Sequence, residues 1–137
     1  MAAALLVREF FASAEQKFAV VGASRTVQSS ATRYIDHGYT AVPVNPREKT
    51  IEALSCVPNL SSLPGNPAEY HVSIITPPAV TTSVLEEAHA NGIQRVWLQP
   101  GAESPEALAF AHNAGIKILA GGPCVLEDGL SKEEIDV

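Results

Sequence analysis

Lys17-Phe18-Ala19-Val20-Val21-Gly22-Ala23-Ser24 is a short apolar run, rich in β-branched residues near its end, that stops at a glycine. A run of this length and composition predicts a buried strand. Gly22 lets the backbone turn sharply, and Ala23 and Ser24 keep the side chains there small. A helical pattern follows and ends near Asp36-His37-Gly38. Strand, small-residue turn and helix form the opening of a nucleotide-binding βαβ unit, whose turn amides and helix N-terminus attract phosphate. The stretch therefore predicts a site for a phosphate-bearing cofactor.

The rest of the chain repeats this alternation. Ser29 or Ser30 is positioned to cap a helix over residues 31–37, with His37 in its last turn and Gly38 just past it. Tyr39 to Val44 predicts a second strand, in which Pro43 demands a place where its missing N–H is tolerated. A short helix over 47–54 and an edge strand at Ser55-Cys56-Val57 are expected next, then loops over 59–70 with one helical turn at Leu60 to Leu63. Val72 to Ile75, Arg95 to Leu98 and Lys117 to Ala120 predict further strands. Helices over 79–91 and 105–113 separate them, the first with Val80, Val84, Leu85 and Ala88 on one face. At the N-terminus, the spacing of Leu5, Leu6, Glu9 and Phe10 predicts an amphipathic helix lying on the sheet. No hairpin signal and no internal repeat occur. The expected fold is α/β: one doubly wound parallel sheet with right-handed crossovers and helices on both faces.

Composition narrows the function. At 137 residues the chain fits a single domain, and 46% hydrophobic content argues for a packed core. A formal charge of −6 argues against nucleic acid or an anionic membrane as partner, but not against one phosphate ligand. The two cysteines, Cys56 and Cys124, are too few for a disulfide scaffold and fit a reducing, cytoplasmic setting. A mitochondrial transit peptide is the weaker reading of residues 1–12. His37, His71, His89 and His112 are scattered without ligand spacing, so no metal site is expected. No acid, base or nucleophile falls into a catalytic arrangement, which favours binding over catalysis.

In a doubly wound sheet the ligand lies outside the carboxyl ends of the strands, at the switch in strand order. The segments at those ends are Gly22-Ala23-Ser24, Asn45-Pro46-Arg47, Thr76-Pro77-Pro78, Gln99-Pro100-Gly101 and Gly122-Pro123-Cys124. The dinucleotide fingerprint wants three glycines, and its positions here read Gly22, Ser24 and Val27. It also wants an acid after the second strand for the ribose hydroxyls, where this chain has Asn45. Arg47 suits a ribose phosphate instead. NADP thus survives better than NAD, and so does coenzyme A, which carries a ribose 3′-phosphate and a pyrophosphate. No Walker motif is present.

Val20-Val21-Gly22-Ala23-Ser24, His37-Gly38-Tyr39, Pro43-Val44-Asn45-Pro46, Trp97-Leu98-Gln99-Pro100-Gly101 and Gly122-Pro123-Cys124 together resemble the small CoA-binding domain family. That family is similar to the N-terminal domain of the succinyl-CoA synthetase alpha subunit. The resemblance runs from the first helix to about Glu127. It implies a Rossmann-like domain over residues 1–127 followed by an acidic tail over 128–137, and CoA or an acyl-CoA as ligand. It implies the pyrophosphate against Gly22, Ala23 and Ser24, the adenosine part between Asn45-Pro46-Arg47 and Thr76-Pro77-Pro78, and Gln99 to Gly101 further along. Two features depart from the family: the shorter segment between Ser24 and His37, and Val125 after Cys124 where proline is common.

Each candidate also has a plainer reading. Ser24 and Ser30 could serve only as helix caps, and Arg25, Arg33 and Lys49 only as solvated surface charges. Trp97 reads as core rather than as a stacking platform. Cys124 could form a mixed disulfide with the CoA thiol, although a small buried side chain is the simpler account. The alternatives carried forward are an NADP-binding oxidoreductase or sensor, and a CoA-binding subunit of a larger synthetase-type complex. A homo-oligomer or a partner chain stays open. Gly22→Val is expected to obstruct the pyrophosphate with the fold intact.

Overall fold

The computed structural model describes residues 8, 10–12, 17–22, 34–35, 37–51 and 54–120. Its strands are β1 (Lys17–Val21), β2 (Thr40–Val44), β3 (Thr50–Ile51), β4 (Leu54–Ser55), β5 (Tyr70–Ile74), β6 (Arg95–Leu98) and β7 (Lys117–Leu119). Its two long helices are α1 (Pro78–Ala90) and α2 (Pro105–Ala114). Arg8, Phe10 and Phe11 are helical, as are Tyr34 and Ile35.

Five strands form one sheet in the order β2-β1-β5-β6-β7, and every neighbouring pair is parallel. The chain steps outward from β1 to β2, then returns across β1 to lay down β5, β6 and β7. The direction of winding therefore reverses between β1 and β5. At such a point the two flanking crossovers diverge to opposite faces and leave a crevice.

Period-two alternation divides the buried side chains between two cores. Ala19, Val21, Val72, Ile74, Val96 and Leu98 face Leu85 and Ala88 of α1 and Ala107 and Ala111 of α2. Phe18, Val20, Trp97 and Leu119 point to the other face, where Phe10, Phe11, Tyr34 and Tyr39 cover them. This second core is aromatic. Phe11 stacks on Tyr39 at 5.2 Å, Phe18 stacks on Tyr34 at 4.8 Å, and Phe10 meets Trp97 edge-on at 5.4 Å. Burying the Phe10 and Phe11 rings contributes about 1.5–3 kcal/mol each, enough to hold the N-terminal segment on the sheet. Of the expected amphipathic helix, Phe10 is helical and buried on the sheet, whereas Leu5, Leu6 and Glu9 lie outside the described residues; Trp97 is core.

The helix containing Tyr34 closes as expected. Gly38 has φ 96°, its N–H reaches the Ile35 carbonyl, and the Tyr39 N–H reaches the Tyr34 carbonyl at 3.0 Å. These two bonds satisfy the last carbonyls of the helix. Pro43 fits β2 because β2 is an outer strand. The Pro43 carbonyl accepts from Val57 N–H on the side away from β1, so the missing proline N–H falls on that outer side.

Several expectations need correction. The short helix over 47–54 does not form. Asn45 Oδ1 accepts from the amides of Arg47 (2.7 Å) and Glu48 (3.0 Å), making a side-chain-stabilised turn. Thr50–Ile51 then pairs antiparallel with Leu54–Ser55. Thr50 and Ile51 are β-branched, and Ile51 gains burial in the aromatic core only as a strand residue. Of the edge strand expected over 55–57, Ser55 joins β4 and Val57 makes a single parallel bridge to Val44. On α1 the buried residues are Thr81, Leu85 and Ala88, and Val80 is 44% exposed. The inward stripe runs one residue later than the apolar pattern suggested.

Candidate functional site

The register of the parallel pairs places Val21 beside Val44 and Ile74, and Ile74 beside Leu98. The next residues, Gly22, Asn45, Ile75 and Gln99, therefore form one row along the carboxyl edge of the sheet. Backbone bonds extend across this row. Gly22 N–H donates to the Val44 carbonyl at 3.4 Å, Ile75 N–H to Val21 at 2.9 Å, and Gln99 N–H to Ile74 at 2.9 Å. Of the predicted site residues, Gly22, Asn45, Pro46, Arg47, Thr76, Pro77, Pro78, Gln99 and Gly101 share this one rim. Ala23, Ser24, Arg25, Ser30 and Cys124, together with Arg33 and the acidic tail, lie outside the described residues.

Gly22 sits at the winding reversal with φ 98°. A Cβ at this position would approach Thr76 N to 2.9 Å, and Ile75 C and Thr76 Cγ2 to 3.0 Å. The turn after β1 and the turn after β5 therefore touch backbone to backbone, and only glycine permits it. Thr76 is itself buried, and its hydroxyl lies 2.9 Å from the hydroxyl of Thr81 on α1. Thr81 Oγ1 lies 2.8 Å from the Ala102 carbonyl in the loop after β6.

The first turn of α1 begins with Pro77 as cap and Pro78 as the first helical residue, with no side-chain cap. Pro78 has no N–H to offer an anion, so this helix start is a weaker phosphate site than most. Pro77, Pro78, Ala79 and Val80 are all exposed and form an apolar ledge on the rim. Across the crevice stands the Asn45–Glu48 turn. It presents Arg47, which is exposed and has no partner for its guanidinium among the described residues. Of the two segments that flank the end of β1, the one after β5 is thus apolar and the one after β2 carries a cation.

Gln99 turns inward from the rim. It is 3% exposed, and its Nε2 donates to Ser73 Oγ at 2.9 Å on the aromatic face of the sheet. The bond braces the loop after β6 from within. Gly101 is exposed, and its N–H points at Glu103 Oε1 at 3.4 Å. Thr81 and Ser73 were not foreseen. Thr81 was detectable, because 81, 85 and 88 share a helix face. Ser73 carries no such signal, because a lone serine among Val72, Ile74 and Ile75 does not name its partner.

Two titratable groups lie away from the rim. His71 is the residue opposite Phe18 in the register of β1 and β5, and its Nδ1 lies 2.6 Å from the Phe10 carbonyl. Nδ1 must carry a proton there, because a carbonyl only accepts. Burial holds the imidazole below its usual pKa. The Phe10 carbonyl opposes that by favouring the charged ring, and the Arg95 guanidinium lowers the pKa further by repelling that charge. Burial, helped by Glu48, pushes the Cys56 thiol up, so it is not an activated nucleophile. Among the described residues, no three His, Cys, Asp or Glu side chains gather as a metal site would require. Among the same residues, no helix is long and apolar enough to cross a membrane.

A parallel sheet with its winding reversal between β1 and β5, and a glycine packed against the opposite turn, is a Rossmann-like α/β domain. Residues 16–128 match the CoA binding domain family, and the chain belongs to that family. A conserved hypothetical protein from Pyrococcus furiosus is 32% identical, with a TM-score of 0.69 over 81% of this chain and 97% of that one. A hypothetical protein from Pyrococcus horikoshii OT3 is 28% identical, with a TM-score of 0.78 over 91% of this chain and 88% of its own. The same fold occurs in a dinucleotide forming acetyl-coenzyme A synthetase from Ca. Korarchaeum cryptofilum. That match is at 24% identity and a TM-score of 0.66, and covers 85% of this chain but 27% of the synthetase. No curated protein matches the chain.

Proposed function

We propose that this protein binds coenzyme A, or an acyl-CoA, in the crevice at the carboxyl edge of the sheet. Family membership over residues 16–128 is the observation that carries the reading. The rim supplies its chemistry. The pyrophosphate lies against Gly22-Ala23-Ser24, where turn amides donate to anionic oxygens. The adenine rests on the Pro77-Pro78 ledge, with Thr76 beneath it. Arg47 meets the ribose 3′-phosphate from the other side, and Asn45 and Pro46 fix the turn that presents it. Arg25 and Ser30 supply further donors near the pyrophosphate. Gly101, braced by Gln99, borders the pantetheine arm, and Cys124 lies near the thiol end.

The test is thermal unfolding with and without ligand. A ligand that binds only the folded state raises Tm in proportion to ln(1 + [L]/Kd). CoA should raise Tm, and NADP⁺ and NADPH should not. A rise with the nicotinamide nucleotides alone would replace this reading with the oxidoreductase or sensor.

A second reading is favoured by the synthetase, whose matching region is 27% of its length. There the fold is one part of a larger enzyme, and this chain would act as the CoA-binding subunit of a comparable assembly. Co-purification of a partner chain is the measurement that favours it over a solitary binding module.

A further inference from the structure

We infer that Thr81 is a positioning residue for the ligand crevice, acting through Thr76 without reaching the ligand itself. The inference rests on the CoA-binding reading.

Thr81 lies in the second turn of α1 and is fully buried. Threonine in a helix commonly bonds the carbonyl four residues back. Here that contact, to the Pro77 carbonyl, is the longest of three at 3.3 Å. The others are the Ala102 carbonyl at 2.8 Å and Thr76 Oγ1 at 2.9 Å. A hydroxyl has one proton to give and lone pairs to receive. The Thr81 proton goes to the nearer carbonyl, that of Ala102. Thr76 must then donate to Thr81. The bonds form a directed chain from Thr76 through Thr81 to Ala102, linking the loop after β5, helix α1 and the loop after β6.

This chain sets the geometry of the crevice. Threonine on an open turn samples more than one χ1 well. The bond to Thr81 holds Thr76 in the well that turns Oγ1 inward. Its Cγ2 is then aimed at Gly22, 3.0 Å from where a Cβ would stand. The floor of the turn after β1 is therefore positioned by a side chain whose own rotamer depends on Thr81. The same hydroxyl holds Ala102, whose N–H closes the Gln99–Ala102 turn at 3.0 Å. One buried hydroxyl thus ties together the turns after β5 and β6.

The experiment compares CoA affinity of wild type, Thr81→Val and Thr81→Ser by titration calorimetry, with urea unfolding of each. Valine keeps the shape and removes the hydroxyl, and serine keeps the hydroxyl. Thr81→Val should bind CoA about tenfold more weakly, the equivalent of about 1.4 kcal/mol. Thr81→Ser should stay near wild type. A purely structural role would lower the urea midpoint of Thr81→Val and leave the Kd of the folded protein unchanged, and that result overturns the inference. Should Thr81→Val fail to fold, Thr81→Ala against Thr81→Ser makes the same comparison, because both lack the methyl and differ only in the hydroxyl. A wild type silent toward CoA overturns the ligand reading itself. A wild type that binds, beside a Thr81→Val with equal Kd, overturns only the role of Thr81.

Discussion

Gly22 and Thr76 stand closer than any side chain at position 22 would allow: a Cβ there would lie 2.9 Å from the Thr76 amide nitrogen. This contact joins the turn after β1 to the turn after β5 across the winding reversal. It also corrects the expectation that Gly22→Val leaves the fold intact. The φ of 98° at Gly22 disfavours an L side chain, and the clash is with backbone. Strain of this kind costs about 1–2 kcal/mol and the overpacking about 1–3 kcal/mol. Even Gly22→Ala should lower the urea midpoint clearly, besides abolishing CoA binding. An alanine variant of wild-type stability would show that the two turns do not touch.

Arg47 offers a cleaner probe of the site, because it is exposed and holds nothing in the fold among the described residues. Arg47→Ala should leave the unfolding curve unchanged. It should weaken CoA binding about tenfold, the loss of one charge-assisted contact. Wild type and variant should bind 3′-dephospho-CoA alike. Equal losses for CoA and 3′-dephospho-CoA would remove the 3′-phosphate from Arg47.

The aromatic face depends on Phe11, which touches Phe18, Tyr39 and Trp97 with ring centroids 5.2–5.9 Å away. Phe11→Ala should cost about 3–5 kcal/mol. Because Trp97 is buried beside it, the indole emission should shift red in the folded variant. An unshifted spectrum at unchanged stability would mean that the N-terminal segment does not cover this face.

His71 predicts a pH dependence of stability. Its imidazole is held below 6.5 in the folded protein, chiefly by burial. Above that pH both states are neutral at this position and the contribution is fully present. As the pH falls through 6.5 the unfolded chain takes up a proton that the folded chain resists, so stability declines. His71→Asn keeps a donor for the Phe10 carbonyl and cannot titrate. Its denaturant midpoint should fall less than that of wild type as the solution is acidified below pH 6.5. Parallel curves would contradict the assignment.

The Lys17–Glu69 ion pair, at 3.1 Å, marks the opposite limit. Both side chains are about one-third exposed, so solvent screens the pair. Removing it with Glu69→Gln should change stability by less than about 1 kcal/mol. A larger loss, measured by urea unfolding, would show that the pair is better shielded than its exposure indicates.

Much of this architecture could be read in advance because it depends on short-range signals. The run from Phe18 to Val21 ending at Gly22, the Pro105 and Gly115 that bracket α2, and the Gly38 that ends an earlier helix each carry their structure locally. The hairpin of β3 and β4 could not be read the same way. Its strands are two residues each, and Ile51 is committed by burial in the aromatic cluster, which is a tertiary effect. The site shows the same division. The rim segments were legible because Gly, Pro and Asn mark strand ends. The inward turn of Gln99 toward Ser73 and the bond from Thr76 to Thr81 were not, because they pair residues 26 and 5 positions apart through side-chain rotamers.

The most direct measurement is isothermal titration of the purified protein with CoA, with NADP⁺ and NADPH run alongside. The account predicts saturable heat with CoA and none with either nicotinamide nucleotide. Heat with NADP⁺ or NADPH and none with CoA would contradict it.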